Sequence, residues 1–160
     1  MDHIDKITAQ WNQERPDLDV TPMALLGRLN RISGHLFREM GQTFAAHGLN
    51  LASFDVLATL RRSGEPYRLS PGDLLTTMMV TSGTMTNRID QLVKVGLVER
   101  IQNPQDGRGF LIALTKEGFS LVDKVVEDHV KTQHRLVSGL TGTEQQALNG
   151  LLIKFLADFE

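Results

Sequence analysis

Apolar residues recur at intervals of three and four along most of the chain, a spacing typical of amphipathic α-helices. Thr21-Pro22 provides an N-cap followed by proline at the first helical position, and Gly48 ends the long helix that begins there. The capping box Thr141-x-x-Glu144 begins the last helix. The apolar stripes of these two helices are Leu25, Leu26, Leu29, Ile32, Leu36, Phe37, Met40 and Phe44, and Leu148, Leu151, Leu152, Phe155, Leu156 and Phe159.

Three shorter helices are predicted between them. Asn50 caps one that ends at Gly64, and Ser70 caps a short one, with an acidic residue three positions later. A further helix begins near Thr81 and ends at Gly96.

Beyond Gly96 the hydrophobic period changes from that of a helix to that of a strand. Residues 97–101 and 110–114 are β-prone runs, and the turn-forming residues 102–109 separate them, which predicts a long-looped β-hairpin. Thr115 then caps a long helix with a valine stripe. The predicted order is four helices, a hairpin and two helices, so the fold class is mostly α.

The lengths of these elements suggest how the chain is organised. Residues 49–116 form a block of the size of a small domain. Segments 1–48 and 117–160 carry long apolar stripes with no obvious cover in the same chain, so we expect them to be dimerisation helices that intertwine in a homodimer. A monomeric helical bundle is the alternative.

The distribution of charge refines this picture. The 160 residues hold 17 Lys and Arg against 19 Asp and Glu, and the formal net charge of -2 by itself argues against a nucleic-acid binder. Residues 61–116, however, carry eight bases and five acids, whereas 1–60 and 117–160 are both acidic. Ordinary scatter of charge would give similar numbers, so the excess is informative only where one element presents it.

Several classes of protein are disfavoured. The absence of cysteine excludes a disulfide framework, a thiolate metal site and a thiol redox switch. Residues 1–11 contain no apolar run, and no stretch reaches the length of a membrane span. No i, i+4 histidine pair, phosphate-binding glycine motif or nucleophile elbow is present. We expect a cytoplasmic protein that is not an enzyme and has no membrane, metal or cofactor association.

The helix predicted from Thr81 has two chemically different faces. At about 100° per residue, its buried side is Met85, Ile89, Leu92 and Val93, and its outward side and flanks carry hydroxyls, an amide and bases. With the short helix before it, it forms a helix-turn-helix that can contact phosphates and base edges. The predicted DNA contacts are Ser70, Thr81, Ser82, Thr84, Thr86, Asn87 and Arg88. Polar outward faces are also ordinary, and Asp90 on this face would repel phosphate.

The hairpin after this helix would be a wing. Its loop carries Arg108 between Gly107 and Gly109, and an arginine at such a tip can enter a narrow minor groove. The alternative is a solvent-exposed turn arginine. Arg100 and Lys116 near the base of the hairpin could contact phosphates or merely solvate the strands.

Two parts of the chain resemble the winged helix-turn-helix of MarR-type transcription regulators. They are the run Thr81-Ser82-Gly83-Thr84-Met85-Thr86-Asn87-Arg88-Ile89-Asp90-Gln91-Leu92 and the wing, Asp106-x-Arg108 followed by Leu114-Thr115-x-x-Gly118. The resemblance covers almost the whole chain and implies a winged helix-turn-helix with long terminal dimerisation helices. It also implies a homodimer that binds a pseudo-palindromic operator, usually as a repressor, until a small anionic or phenolic ligand lowers its affinity for double-stranded DNA.

A narrower resemblance is to the PecS-like, urate-responsive branch of that family. It is carried by Trp11 with the segment 14–19, by Phe54-Asp55-Val56-Leu57 and by the helix from Thr81. It implies an extra N-terminal helix at 1–15 and an effector site of Trp11, Asp55 and Arg88. Such a site suits a small aromatic anion such as urate or a related purine, because an indole stacks, a guanidinium donates and a carboxylate accepts from ring N–H groups.

Alternatives to these assignments stay open from the residues alone. Trp11 could anchor a dimer interface, and Asp55 could be an acid that favours a helix dipole. The chain could also be a winged-helix protein-interaction module without DNA binding, or a small-molecule-binding enzyme, which the missing site chemistry disfavours.

Overall fold

The structure, a computed structural model, describes residues 1–78, 85–104 and 109–160. These residues are mostly helical, as the apolar spacing predicts. In chain order the elements are α1 (His3–Glu14), α2 (Thr21–Ala45), α3 (Leu51–Arg62), β1 (Arg68–Leu69), α4 (Pro71–Thr77), α5 (Met85–Lys94), β2 (Val98–Gln102), β3 (Phe110–Leu114), α6 (Lys116–Val137) and α7 (Gly142–Leu156).

The chain divides into two compact units, Met1–Glu39 and Met40–Glu160. In the first unit, Asp2 begins α1 with a capping box. Ile4 is buried beside Gly27 of α2, where an added Cβ would lie 3.1 Å from the Ile4 side chain. Arg28 of α2 pairs with the carboxylates of Asp2 and Asp5, so α1 is held to α2 by both packing and charge.

The core of the second unit forms around α3. Phe44 stacks on Phe54 with ring centroids 4.3 Å apart, and Val56, Leu57 and Leu60 are fully buried. The other buried members are Leu49 before α3 and, after it, residues of α4, α5, β2, β3 and α6 together with the C-cap of α4, namely Leu74, Met78, Met85, Ile89, Leu92, Val98, Ile112, Val122 and Val125. Burial of this much apolar surface is what fixes α5 on the rest of the unit.

The predicted hairpin is present, and a strand that was not predicted joins it. β2 and β3 pair antiparallel, with Val98 opposite Leu114 and Gln102 opposite Phe110. β1 pairs with the other edge of β3, so the sheet order is β1-β3-β2. β1 was not predicted, because a strand of two residues is too short to show alternation.

Four predicted helix starts are confirmed, whereas Thr21 is the first residue of α2 and not its N-cap, and the start predicted near Thr81 lies outside the described residues. The side chains of Asn50, Ser70, Thr115 and Thr141 each accept a hydrogen bond from the backbone N–H three residues later. Gly96, after α5, has a φ of 74°, a left-handed conformation that glycine adopts without steric cost. No helix in the described part of the chain combines the length and apolarity that a membrane span requires.

Candidate nucleic-acid interface

Helix α5 presents a polar face away from the core, as its sequence predicts. Met85, Ile89 and Leu92 are buried, and Val93 is partly buried. Thr86 and Asn87, two of the predicted DNA contacts, are exposed together with Gln91. These hydroxyl and amide groups are of the kinds that donate to phosphates and base edges. The described part of α5 therefore carries an accessible surface suited to a DNA groove.

The acidic residue on this face is neutralised within the chain. Asp90 of α5 accepts a short hydrogen bond from Nη2 of Arg100 on β2. The guanidinium of Arg100 also lies over the ring of Phe110, 5.4 Å from its centroid. The Asp90 carboxylate thus has a cation beside it, which weakens its repulsion of a phosphate backbone. Arg100 holds the hairpin to α5, a role that was not predicted for it.

The base of the hairpin is held by a network around the start of α6. Thr115 Oγ1 donates to the Gly96 carbonyl at 2.7 Å, and the Thr115 N–H donates to the Leu97 carbonyl at 3.2 Å. An added Cβ on Gly118 would lie 1.9 Å from the Leu97 carbonyl oxygen, closer than any atom can approach. Thr115 and Gly118 therefore hold the start of α6 close to the end of α5. The threonine bonds to the Gly96 and Leu97 carbonyls, and the glycine leaves room for the Leu97 carbonyl.

Four predicted DNA contacts, Thr81, Ser82, Thr84 and Arg108, lie outside the described residues. Ser70 is described and is half-buried. Its hydroxyl caps α4, since it accepts from the Asp73 N–H at 3.1 Å and donates to the Asp73 carboxylate at 2.7 Å. The hydroxyl of Ser70 is thus already engaged in local bonds, and a contact between it and DNA stays a prediction.

Three polar residues of α3 share one face of the helix. Asp55, Thr59 and Arg62 follow at positions i, i+4 and i+7, which places them on one face of the helix. Asp55 is 5% exposed and Thr59 is fully buried. Nη1 of Arg62 lies 3.9 Å from Asp55 Oδ1, and Nη2 of Arg62 donates to the Thr77 carbonyl at 2.5 Å. Asp55 was predicted, whereas Thr59 and Arg62 were not, although their helical spacing from Asp55 was the available signal.

Arg88 lies on the flank of α5, half-buried, as its helical position predicts. α5 packs against α3, the helix that carries Asp55. The Arg88 Nη1 atom is buried and has no hydrogen-bond partner among the described residues, and the same holds for Thr59 Oγ1. Buried donors of this kind are costly unless something accepts from them. An anion or a carbonyl oxygen of a ligand could satisfy either donor.

Trp11 is placed on α1, in the first compact unit, with 43% of its surface exposed. Its side chain is therefore open to contact with a ligand or with another protein surface. Its role as an effector contact and its role as an interface anchor both stay predictions.

Histidines take structural positions in the second unit. The ring of His129 packs 5.1 Å from that of Phe44 and 5.2 Å from that of Phe54, and burial lowers the pKa of His129. His47 Nε2 lies 3.0 Å from the Asp128 carboxylate, and Lys131 and His47 together hold the pKa of Asp128 below its ordinary value. Within residues 1–78, 85–104 and 109–160, no group of three or more His, Asp or Glu is placed to hold a metal ion.

Known proteins resemble the chain along most of its length. The model of the MarR family matches residues 47–109. The HTH-type transcriptional regulator PecS of Dickeya dadantii is 40% identical over 149 residues, which cover 93% of this chain and 90% of that protein. A mutant MarR from Escherichia coli, solved in complex with operator DNA, has a TM-score of 0.71 and 28% identity, covering 91% of this chain and 97% of that one. BpsR of Bordetella bronchiseptica, solved to explain regulation of its DNA binding by 6-hydroxynicotinic acid, has a TM-score of 0.70 and 27% identity, covering 81% of this chain and 90% of that one.

Proposed function

The chain belongs to the MarR family of DNA-binding transcription regulators, and from this premise we propose that it binds a pseudo-palindromic operator as a homodimer and releases it when a small aromatic anion binds. It is a regulator and not an enzyme. The single observation that carries the proposal is the polar, exposed face of α5, whose one described acid is neutralised by Arg100.

The proposed DNA contacts divide between the two grooves. Thr86 and Asn87 on α5, with Ser82 and Thr84 before it, would position the helix in the major groove. Arg108 at the wing would enter the adjacent minor groove, where a narrow groove attracts a guanidinium. Arg88 sits at the flank of α5, from where its long side chain could reach a phosphate. Ser70 and Thr81 would add contacts to the backbone of the duplex.

The homodimer is supported by the apolar surface of the outer helices. Leu151 and Ile153 of α7 are 66% and 62% exposed in the single chain, and α2 and α6 also expose large apolar side chains. Exposed apolar patches of this kind mark interaction sites in soluble proteins. A two-fold dimer through segments 1–48 and 117–160 would cover them and leave block 49–116 of each subunit free to bind one half-site.

The proposed effector site lies at Asp55 and Arg88. Asp55 would accept from ring N–H groups of a purine such as urate, and Arg88 Nη1, which has no partner among the described residues, would donate to its anionic oxygen. Trp11 is proposed as a third contact through its indole. BpsR, which is regulated by an aromatic nitrogen heterocycle bearing a carboxylic acid, is a precedent for this class of effector.

Fluorescence anisotropy with DNA from upstream of the protein's own gene tests operator binding. Wild type should bind with an affinity that falls as salt rises, because cations of the protein displace counterions from phosphate. Arg108→Ala should bind more weakly and with a salt slope lower by about one. Lys124→Ala, which removes an exposed cation from α6, is the matched control and should bind like wild type. Absence of salt-sensitive binding, or wild-type affinity for Arg108→Ala, would leave the interaction-module function instead.

Titration of urate, xanthine and salicylate into the complex tests the effector. At least one of these ligands should release the DNA and change Trp11 fluorescence. The Asp55→Asn and Arg88→Gln variants should each require a higher concentration of that ligand for release. If none of the three ligands releases DNA and Trp11 fluorescence stays constant, the effector site is wrong, whatever the result of the binding experiment.

A further inference from the structure

Arg62 contacts both Asp55, in the proposed effector site on α3, and the end of α4. It is the last residue of α3, and its Nη2 atom donates to the carbonyl of Thr77, the last residue of α4. Carbonyls in the last turn of a helix have no partner within the helix, so an arginine that binds one fixes that helix end. α4 is the helix that precedes α5 in the chain. Arg62 therefore restrains the end of α4, the helix that precedes the DNA-facing helix in the chain.

The other edge of the same guanidinium faces Asp55. At 3.9 Å the contact between Nη1 of Arg62 and Oδ1 of Asp55 is an attraction between charges and too long for a hydrogen bond. Asp55 is almost completely buried, whereas the Arg62 side chain is 44% exposed. A planar guanidinium with five donors can hold a carbonyl on one edge and a carboxylate on the other, which an ammonium group cannot do in a fixed geometry.

Between these two residues lies Thr59, fully buried, one helical turn from each. Its hydroxyl has no hydrogen-bond partner among the residues that the structure describes. The stripe of Asp55, Thr59 and Arg62 thus offers one carboxylate acceptor, one spare hydroxyl and one cation at its outer end. Such a set is complementary to a planar anion that has both N–H groups and a negatively charged oxygen.

We propose that Arg62 is a positioning residue that couples Asp55 to the end of α4, and that a purine anion bound at Asp55 draws its guanidinium away from the Thr77 carbonyl. This coupling rests on the proposed function, since it gives a route from the effector site to the DNA-facing helix. In the free protein, the carboxylate and the carbonyl together hold Arg62. A bound anion offers the guanidinium a charged partner in place of a neutral carbonyl. A ligand shifts the equilibrium between two arrangements only if it binds one of them more tightly, and this charged contact supplies that difference in affinity.

A double-mutant cycle tests the coupling without any ligand. Arg62→Gln removes the charge, Asp55→Asn removes its partner, and the double variant removes both. Hydrogen exchange of the α4 amides and operator affinity by anisotropy are measured for all four proteins. Arg62→Gln loses a charge-assisted hydrogen bond to the Thr77 carbonyl, and Asp55→Asn loses an attraction between charges. We therefore expect each single variant to exchange faster in α4 and to bind DNA about tenfold more weakly. The double variant should be no worse than either single one, because the two residues act as one unit.

Arg61→Gln is the matched control, since Arg61 is the adjacent arginine but donates to Asp123 on α6 at 2.7 Å. It should leave exchange in α4 unchanged. Arg62→Lys, which keeps the charge, should fall between wild type and Arg62→Gln. Thermal unfolding of every variant verifies that it is folded. Additive effects in the double variant, or wild-type exchange in Arg62→Gln, would overturn the coupling.

The same variants separate this coupling from the effector itself. The ratio of operator Kd values with and without urate should fall at least fivefold in Arg62→Gln, within the usual range of allosteric coupling, while urate still quenches or shifts Trp11 fluorescence. An unchanged ratio in Arg62→Gln would overturn the coupling. If urate, xanthine and salicylate all fail with wild type, the effector site of the proposed function fails, and so does the ligand step of this proposal. The ligand-free cycle then still decides the positioning role of Arg62.

Discussion

Arg100 on β2 donates to the carboxylate of Asp90 on α5, and this ion pair joins the hairpin to the helix that we propose faces DNA. Asp90 lies on the outward face of α5, where an unpaired carboxylate would repel phosphate. Arg100 comes from the strand that leads into the wing. One contact therefore both neutralises the helix surface and relates the orientation of the wing to that of the helix.

Replacing Arg100 by glutamine should weaken operator binding about fivefold, or about 1 kcal/mol, because Asp90 is left unpaired beside the DNA. The free energy of unfolding should change by less than about 1 kcal/mol, since the pair is exposed. Anisotropy and urea unfolding measure the two effects.

The double variant Asp90→Asn/Arg100→Gln is the control for this prediction. It should recover most of the lost affinity, because no unpaired carboxylate remains. If the double variant binds as weakly as Arg100→Gln, then Arg100 contacts phosphate directly and the neutralising role is wrong.

Gly118→Ala should destabilise the protein, because the new Cβ would lie 1.9 Å from the Leu97 carbonyl oxygen and the backbone of the hairpin base must move. We expect a loss in the free energy of unfolding at the upper end of the usual 1–3 kcal/mol, roughly, for overpacking, measured by urea denaturation.

Gly34→Ala provides the comparison, since no described atom lies within 4 Å of its added Cβ and Gly34 is inside α2. It should be neutral or more stable by about 0.5–1 kcal/mol, as alanine is the better helix former. Equal stability of Gly118→Ala and wild type would contradict the close approach seen here.

His129 should make stability depend on pH. Burial beside Phe44 and Phe54 lowers the pKa of His129 in the folded chain, whereas in the unfolded chain it is about 6.5. Below that pH the unfolded state takes up a proton that the folded state does not, so stability falls as pH drops, by at most about 1.4 kcal/mol per pH unit. Above that pH this contribution is absent.

His129→Phe should flatten the dependence of the unfolding free energy on pH between about 6.5 and 5, measured at constant protein concentration. The lowered pKa of Asp128 keeps that neighbouring carboxylate ionised throughout this window. His35→Gln, which removes an exposed histidine, is the control. An unchanged pH dependence in His129→Phe would show that the buried ring takes no part in it.

Leu151→Glu should break the proposed homodimer, because it places a charge at the most exposed apolar position within Gly142–Leu156. Light scattering should report a monomer, and operator affinity should fall about 100-fold or more as the second half-site contact becomes independent. Gln146→Glu, on the opposite side of α7, should remain a dimer. A monomeric wild type would contradict the dimer itself.

The periodic elements could be predicted from the sequence because their causes are local. The stripe Met85, Ile89 and Leu92, the caps at Thr115 and Thr141, and the strands after Gly96 each follow from residues a few positions apart. β1 could not be predicted, because two residues form a strand only when β3 is already beside them. The family relationship was also recognisable from sequence, since the motif of α5 and the wing base is contiguous.

The contacts within the candidate site could not be predicted from local sequence pattern. Local pattern was enough to predict the polar outward face of α5 and the apolar stripes of the outer helices, and the family resemblance pointed to Asp55 and Arg88. The pairing of Arg100 with Asp90, and the link that Arg62 makes between Asp55 and the end of α4, became visible when the elements were packed together. The two members of each ion pair are seven and ten residues apart, and Thr77 lies fifteen residues from Arg62. Such contacts depend on how elements pack, because long flexible side chains bond whichever partner the packed backbone brings within reach.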